Sequence, residues 1–497
     1  MNQALTALLV VIFTGCGGDP PALPPLPPKG EAPAGVPAGE VQPLRELVIA
    51  LTGEVRGEIE ACGCPTVPYG GFARRAKLLE AVRAEGVPTF VLDAGDMLLR
   101  GRASLKSPDR VERGRAVLDL SLATGLDAWA PGPLDLLVDG IPPLKRSPAL
   151  SATWELGGSK IFPASTVIER GGIRLGVIGI SGAAEGVGQA EVLAAANGAK
   201  VGEADTWVVL TNDPATATLV AEGVPNLGAV LSTRGGALDA PVTTTGAPII
   251  ETPDRGRYVT LLRVALASDG AAWELRTDKP VETVARERER LVKVAADPTA
   301  RVDRSRLERL VAERNTLLSG HDAVYVEERP LGSDLDGASV VDARIDLFKS
   351  LATRAAQKRT ATPTKSGYVS AAACASCHEH EERFMAWTFD PHARAYEPLV
   401  ARGQDLDVEC IACHSTGWAE PGGNAALTRE AMRTWKAVQC EACHGPLAGH
   451  PGAGVKATIP TVDTCLGCHD QANSPQFDYA AYLARLSCTS VSKRARE

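Results

Sequence analysis

From Arg45 onward, short apolar runs alternate with longer segments whose apolar positions recur every three or four residues. Leu47-Val48-Ile49-Ala50-Leu51 is apolar without interruption, which predicts a strand covered on both faces. Thr89 to Asp93, Ile173 to Ile180, Trp207 to Thr211, Leu227 to Ser232 and Tyr258 to Ala265 repeat the pattern. Gly71 to Ala84, carrying Arg74, Arg75 and Lys77, predicts a helix, and helices fall between most of the other strands. The alternation predicts an α/β domain over residues 45–280. Glu282 to Leu318 is charged and amphipathic, with a break at Asp297-Pro298, and its charges suit a solvated face. With a further helix over Ala338 to Gln357, it predicts a helical connector over residues 281–360. Residues 361–497 follow as a separate, mainly helical unit.

Two segments ahead of the first strand fit no core. Ala4 to Phe13 is apolar but too short to span a bilayer, and suits the centre of a signal peptide. Residues 1–16 are therefore expected to be a leader. Asp19 to Pro43 is rich in Pro, Ala and Gly, which predicts an extended tether within residues 17–44.

Composition narrows the class. The chain has 497 residues, is 44% hydrophobic and carries a net charge of −8, which fits a multidomain globular protein and argues against nucleic acid as a partner. Nine of its twelve cysteines lie in residues 361–497, eight of them within four copies of C-x-x-C-H. These are Cys374/Cys377/His378, Cys410/Cys413/His414, Cys440/Cys443/His444 and Cys465/Cys468/His469. Each reads as a covalent haem c attachment: two thiols bond the porphyrin and the adjacent histidine reaches the iron. Zinc knuckles have no need of a histidine after every second cysteine. Four covalent haem c groups are thus expected, and their attachment chemistry implies export.

Phe13-Thr14-Gly15-Cys16 resembles a bacterial lipobox. The resemblance implies lipidation at Cys16 and a membrane anchor. With Gly17 next, it implies an outer-membrane lipoprotein on the periplasmic side.

Four segments of the front domain resemble the 5′-nucleotidase branch of the calcineurin-like metallophosphatases. They are Thr52-Gly53-Glu54-Val55-Arg56-Gly57, Gly70-Gly71-Phe72-Ala73-Arg74-Arg75, Asp93-Ala94-Gly95-Asp96 and Ile173 to Ile180. The resemblance implies an αββα sandwich with its site at strand ends. That family clamps two metals with Asp, Asn and His. Here no histidine precedes His321, and Glu54 and Arg56 stand in place of Asp and His. Gly132-Pro133-Leu134-Asp135 replaces G-N-H-E, Asn212 replaces a strand-end His, and Ser232-Thr233-Arg234-Gly235 replaces G-H-x-H. Only Asp96 and Glu54 keep ligand character. The fold is expected to be degenerate and non-hydrolytic, with no catalytic residues. Cys62-Gly63-Cys64-Pro65 follows the first motif and reads first as a structural disulfide, with a redox-active dithiol or a soft-metal site such as copper as the alternatives.

Residues 368–488 resemble the tetrahaem cytochrome c-554/c-prime family. The shared text includes Trp387, Asp390-Pro391-His392-Ala393-Arg394-Ala395, Pro421-Gly422-Gly423, Val438 to Pro446 and His450. The resemblance implies that His392 and His450 are distal axial ligands to haem iron, opposite two of His378, His414, His444 and His469. A second histidine makes an electron-transfer centre, whereas an open position binds small molecules. His380, His321 and Cys488 carry no assigned role, and two sites are left without a named distal ligand.

The expected function is an exported tetrahaem cytochrome passing electrons between periplasmic redox partners. Residues 361–497 hold 12 Lys and Arg against 15 Asp and Glu, so a basic docking face on the partner is expected. Two other functions stay open. One is a haem enzyme acting on a small nitrogen or sulfur species at a five-coordinate iron. The other is a metal- or thiol-binding redox sensor using Cys62 and Cys64.

Overall fold

A computed structural model describes residues 45–486, apart from 62–67, 100–109, 138–145, 157–158, 182–186, 234–244, 254, 268–271, 278, 296–303, 319–320, 358–366, 402–403, 419, 425, 453, 470–473 and 475. Cys16, Cys62, Cys64 and Cys488 lie outside the described residues.

The chain opens with β1 (Arg45–Thr52), α1 (Phe72–Ala84), β2 (Thr89–Asp93), α2 (Arg110–Ala123) and β3 (Ala128–Trp129). A small hairpin, β4 (Glu155–Leu156) and β5 (Ser159–Lys160), leads to β6 (Ser165–Arg170), β7 (Ile173–Gly179), α3 (Gln189–Gly198) and β8 (Thr206–Leu210). Then come α4 (Pro214–Gly223), β9 (Ala229–Thr233), β10 (Ile249–Thr252), β11 (Tyr258–Leu266) and β12 (Glu274–Leu275). Helices α5 (Lys279–Ala295) and α6 (Arg304–Leu317) precede β13 (Ala323–Pro330) and α7 (Asp342–Gln357).

The strands form a six-stranded sheet, ordered β12-β13-β11-β1-β2-β3, and a five-stranded sheet, ordered β10-β9-β8-β7-β6. Strand periodicity explains the layers. Leu47, Ile49 and Leu51 of β1 face Leu175 and Val177 of β7 and Val208 and Leu210 of β8 between the sheets. Val48 and Ala50 point the other way, against Leu78, Leu79 and Val82 of α1. Ile178, Val209 and Val230 meet Val192, Ala217 and Val220 of α3 and α4. Helix, sheet, sheet, helix: this is the αββα sandwich. The unbroken apolar run of β1 follows from burial on both faces.

The front unit extends beyond the 45–280 expected from sequence. Strand β13 pairs antiparallel with β11, from Tyr258↔Pro330 to Ala265↔Ala323. Helix α7 buries Ile345, Phe348 and Ala352, with Val341 just before it, in a core shared with Val117, Leu118 and Leu120 of α2. Much of the expected connector is therefore sheet and core. Charge hides β13 in the sequence, because Glu327, Glu328 and Arg329 follow Val326. Two of these charges are paired in the fold. Glu327 accepts from Arg263 at 3.3 Å, and Arg329 meets Glu289 at 3.1 Å.

The last region is built from short helices: α8 (Ser370–His378), α9 (Glu382–Thr388), α10 (Glu397–Ala401), α11 (Val408–His414), α12 (Arg429–Trp435), α13 (Cys440–His444), α14 (Val462–Leu466) and α15 (Tyr479–Arg485). Its one sizeable apolar cluster among the described residues is Tyr396, Leu399, Ile411, Leu427 and Met432. Helix α11 touches α7, which joins this region to the front unit.

Candidate functional site

The four C-x-x-C-H segments dominate the last region. Helices α8, α11 and α13 each end on the motif histidine, and α14 ends between Cys465 and Cys468. On a helix, positions i, i+3 and i+4 share one side, so this spacing brings both thiols and the imidazole to one surface. The leading thiols, Cys374, Cys410, Cys440 and Cys465, are half-buried and unbridged. The second thiols, Cys377, Cys413, Cys443 and Cys468, are unbridged as well. Cys377 is exposed, whereas Cys413, Cys443 and Cys468 are half-buried. The first motif thus presents its second thiol to solvent, and the other three hold theirs against protein. None of the eight cysteines expected to bond porphyrin is tied up in a disulfide.

Six of the imidazoles are held through Nδ1. His444 Nδ1 donates to the Thr458 carbonyl at 2.8 Å, and His450 Nδ1 to the Val455 carbonyl at 3.1 Å. His414 Nδ1 donates to the Ala395 carbonyl. A carbonyl only accepts, so the proton sits on Nδ1 and the Nε2 lone pair is left for a metal. His392 Nδ1 meets Asp390 Oδ1 at 2.9 Å, His378 Nδ1 meets Glu381 Oε1 at 2.9 Å, and His469 Nδ1 meets Ser474 Oγ at 2.8 Å. His380 is different: it is 94% exposed and engages Glu379 through Nε2.

Two pairs of rings stand opposite each other. The His378 and His450 centroids lie 6.5 Å apart with ring planes 19° from parallel. Those of His392 and His469 lie 6.0 Å apart at 88°. Two metal–nitrogen bonds of about 2 Å, plus half of each ring, span about 6 Å. The donor set and spacing therefore fit an iron between each pair. No other histidine ring is paired with His414 or His444 among the described residues. Phe389, 81% exposed, and Ile459, 88% exposed, add apolar surface of the kind a porphyrin covers.

One short segment ties these motifs together. Val438 N donates to the His392 carbonyl at 3.0 Å, and Ala437 N to the His414 carbonyl at 3.1 Å. Gln439 N donates to Thr416 Oγ1 at 2.8 Å, and Trp387 Nε1 to the Val438 carbonyl at 3.1 Å. Trp387 thus braces the segment, while Trp435 meets Tyr368 edge-on at 6.4 Å. Sequence reasoning did not single out Ala437, whose contribution is backbone alone.

The front unit has a second constellation, at the ends of β1, β2, β8 and β9. Register pairs Thr52 with Asp93, which brings Glu54 and Asp96 to one edge. Glu54, Arg56 and Asp96 all have positive φ, at 46°, 53° and 50°. Side chains rarely adopt this conformation, and it concentrates at functional sites. The metal-ligating character is nevertheless spent internally. Arg56 donates to Glu54 at 2.6 Å, Thr233 Oγ1 donates to Glu54 at 3.1 Å, and Asn212 bonds Asp96. A side chain at Gly132 would run into Asp96 and Asn212 within 2.5 Å, so those two fill the cleft.

Asp135, from the altered G-N-H-E segment, is fully buried and accepts from Leu98 N at 2.8 Å and Gly132 N at 2.9 Å. Burial, then the nearby Asp96 charge, pushes its pKa up to about 8. Burial likewise raises Asp93, whose Oδ2 accepts from Thr52 at 2.7 Å. Among the described residues, no group of three or more His, Cys, Asp or Glu is arranged to hold a metal ion. A guanidinium paired to Glu54 does not fit a dinuclear centre.

Residues 373–445 match the family model for cytochrome c554 and c-prime, which takes in three of the four motifs. The last region is a c-type cytochrome module, and its cofactor is haem c. Similar solved structures cover the front of the chain. A 5′-nucleotidase precursor from Thermus thermophilus is 16% identical with a TM-score of 0.43, over 65% of this chain and 62% of its own. The Thermus thermophilus sulfate thiohydrolase SoxB is 15% identical with a TM-score of 0.42, over 64% and 62%. The calcineurin-like phosphoesterase YfkN from Bacillus subtilis is 14% identical with a TM-score of 0.42, over 62% and 98%. The chain thus spans less than two thirds of the first two. Among curated proteins, none matches the sequence.

Proposed function

We propose that this protein is an exported tetrahaem cytochrome that carries single electrons between redox partner proteins on the periplasmic side of the bacterial envelope. The observation that carries the reading is the two pairs of opposed imidazoles, His378 with His450 and His392 with His469, each ring engaged through Nδ1. In this reading His450 and His392 are the distal ligands of the first and fourth sites. With haem bound, they would hold the iron opposite His378 and His469 and leave no position for a small molecule. Haem c, when bound, supplies reversible one-electron chemistry. The carbonyls of Val455 and Thr458, and the Asp390 carboxylate, hold the imidazoles in the ligating tautomer and limit reorganisation.

Attachment at all four motifs places the sites within one small module, which suits onward transfer. Its excess of acidic side chains favours a partner with a basic face and docking that weakens with salt. A lipid at Cys16 and the Pro-rich tether would hold the protein at the outer membrane. The altered front unit serves as a docking scaffold without hydrolysis.

A second reading is favoured by one observation: no imidazole stands opposite His414 or His444 among the described residues. An open iron there would make the protein an enzyme acting on a small nitrogen or sulfur species. Haem quantification followed by a titration with nitric oxide separates the two. Four haems that exchange electrons reversibly and bind no nitric oxide support the carrier. Binding with turnover supports the enzyme.

A further inference from the structure

Glu441 lies between the two cysteines of the third motif, where attachment asks nothing of its side chain. The matching positions in the other motifs are Ala375, Ile411 and Leu466, so the carboxylate is peculiar to this one. It is 1% exposed. Its oxygens accept from Val369 N at 2.9 and 3.0 Å, Ser370 N at 2.8 Å and Leu447 N at 2.8 Å. No cationic side chain among the described residues bonds it.

The neighbouring Gln439 continues the arrangement. Its Oε1 accepts from Ala371 N at 2.6 Å, and its Nε2 donates to the carbonyls of Thr434 at 2.7 Å and Lys436 at 2.9 Å. The amides at the start of α8 have no partners within their own helix. They are satisfied by side chains from the start of α13. The helix that ends on His378 is thereby bolted to the helix that ends on His444. The thiols of Cys374 and Cys440 are in hydrogen-bonding contact across this junction.

We propose that Glu441 is a positioning residue for the first and third sites and that its buried charge holds their reduction potentials down. Amide dipoles solvate the carboxylate but do not cancel it. In a medium of low dielectric, an anion set between the helices that carry two attachment motifs would favour the oxidised, more positive state of a haem iron held at each. With haem bound, the first and third sites would then be the low-potential pair. The inference depends on the electron-transfer reading above.

The test is a potentiometric titration of the full, haem-loaded chain, followed by visible and electron paramagnetic resonance spectra. In Glu441→Gln, two of the four haems should titrate at higher potential by at least about 59 mV, a tenfold change in the ferrous-to-ferric ratio for one electron. The other two should stay in place. Glu441→Asp keeps the charge and should leave all four near their wild-type potentials. Unchanged potentials in Glu441→Gln overturn the proposal, as does an equal shift in both variants, which would mark a purely structural role. If Glu441→Gln fails to load four haems, Glu441→Asp decides: wild-type potentials support the proposal, and a shift of two haems by about 59 mV or more overturns it. The wild-type titration is read first, so loss of the electron-transfer reading itself shows there, before any variant is compared.

Discussion

The imidazoles of His378 and His450 lie 6.5 Å apart and only 19° from parallel, although two further attachment motifs separate them in the chain. The segment that carries His450 returns over the first attachment helix, and Val455 fixes its ring through Nδ1. In His450→Ala, one haem should lose its second ligand. The visible spectrum of the oxidised protein should gain a high-spin band equal to one haem in four, with haem content unchanged. His392→Ala should do the same at the fourth site. A variant with the wild-type spectrum would remove that residue from the ligand set.

Acid stability should depend on Glu46. Burial raises its pKa, but hydrogen bonds from Arg314 and Arg288 outweigh burial and hold it at about 2, below the usual 4.5. The two arginines reach Glu46 at 2.5 Å and 2.7 Å and tie α6 and α5 to β1. A lowered carboxyl pKa gives stability that is present above the unfolded value and lost as pH falls through the folded one. The contribution is on the order of 3 kcal/mol at neutral pH. Glu46→Gln should therefore melt earlier than wild type at pH 7, and the gap should close between pH 4.5 and 2. Thermal melts across that range check it.

Arg56 stands where a metal-binding front site would hold cations. Wild-type protein should show no rise in melting temperature with manganese. Arg56→Ala leaves Glu54 and Asp96 without their cation, and should cost about 1–3 kcal/mol. Manganese should restore part of that loss in the variant alone. Stabilisation of the wild type by manganese would contradict the assignment of Arg56 as the resident cation.

The limits of the front unit can be tested by truncation. A chain ending at residue 280 lacks β13, the antiparallel partner of β11, and should not melt cooperatively. One ending at residue 357 keeps α7 and should. Phe348→Ala in the full chain should cost about 3 kcal/mol, the usual loss for a buried aromatic ring.

Much of this was legible in the sequence. Strands β1, β2, β7 and β11 are apolar runs whose composition alone marks burial, and α1 begins at the Gly71-Phe72 step. The motif spacing marked a c-type cytochrome region, which the family match over residues 373–445 supports, since that spacing is dictated by covalent chemistry. What was not legible depends on partners distant in the chain. Strand β13 carries Glu327 and Arg329, whose charges read as solvent-facing until Arg263 and Glu289 are seen beside them. The role of Glu441 required knowing that the start of α8 lies next to α13. Which motif histidine faces His392 and which faces His450 is set by the path of the chain, and no local pattern records it.

The most direct measurement is the electron paramagnetic resonance spectrum of the fully oxidised protein, with haem counted chemically. The account predicts four haems and two distinct low-spin signals of one haem each. The near-parallel rings of His378 and His450 should give a rhombic signal, and the near-perpendicular rings of His392 and His469 a strongly anisotropic one. A spectrum lacking either signal would contradict the paired-histidine arrangement on which the electron-transfer function rests.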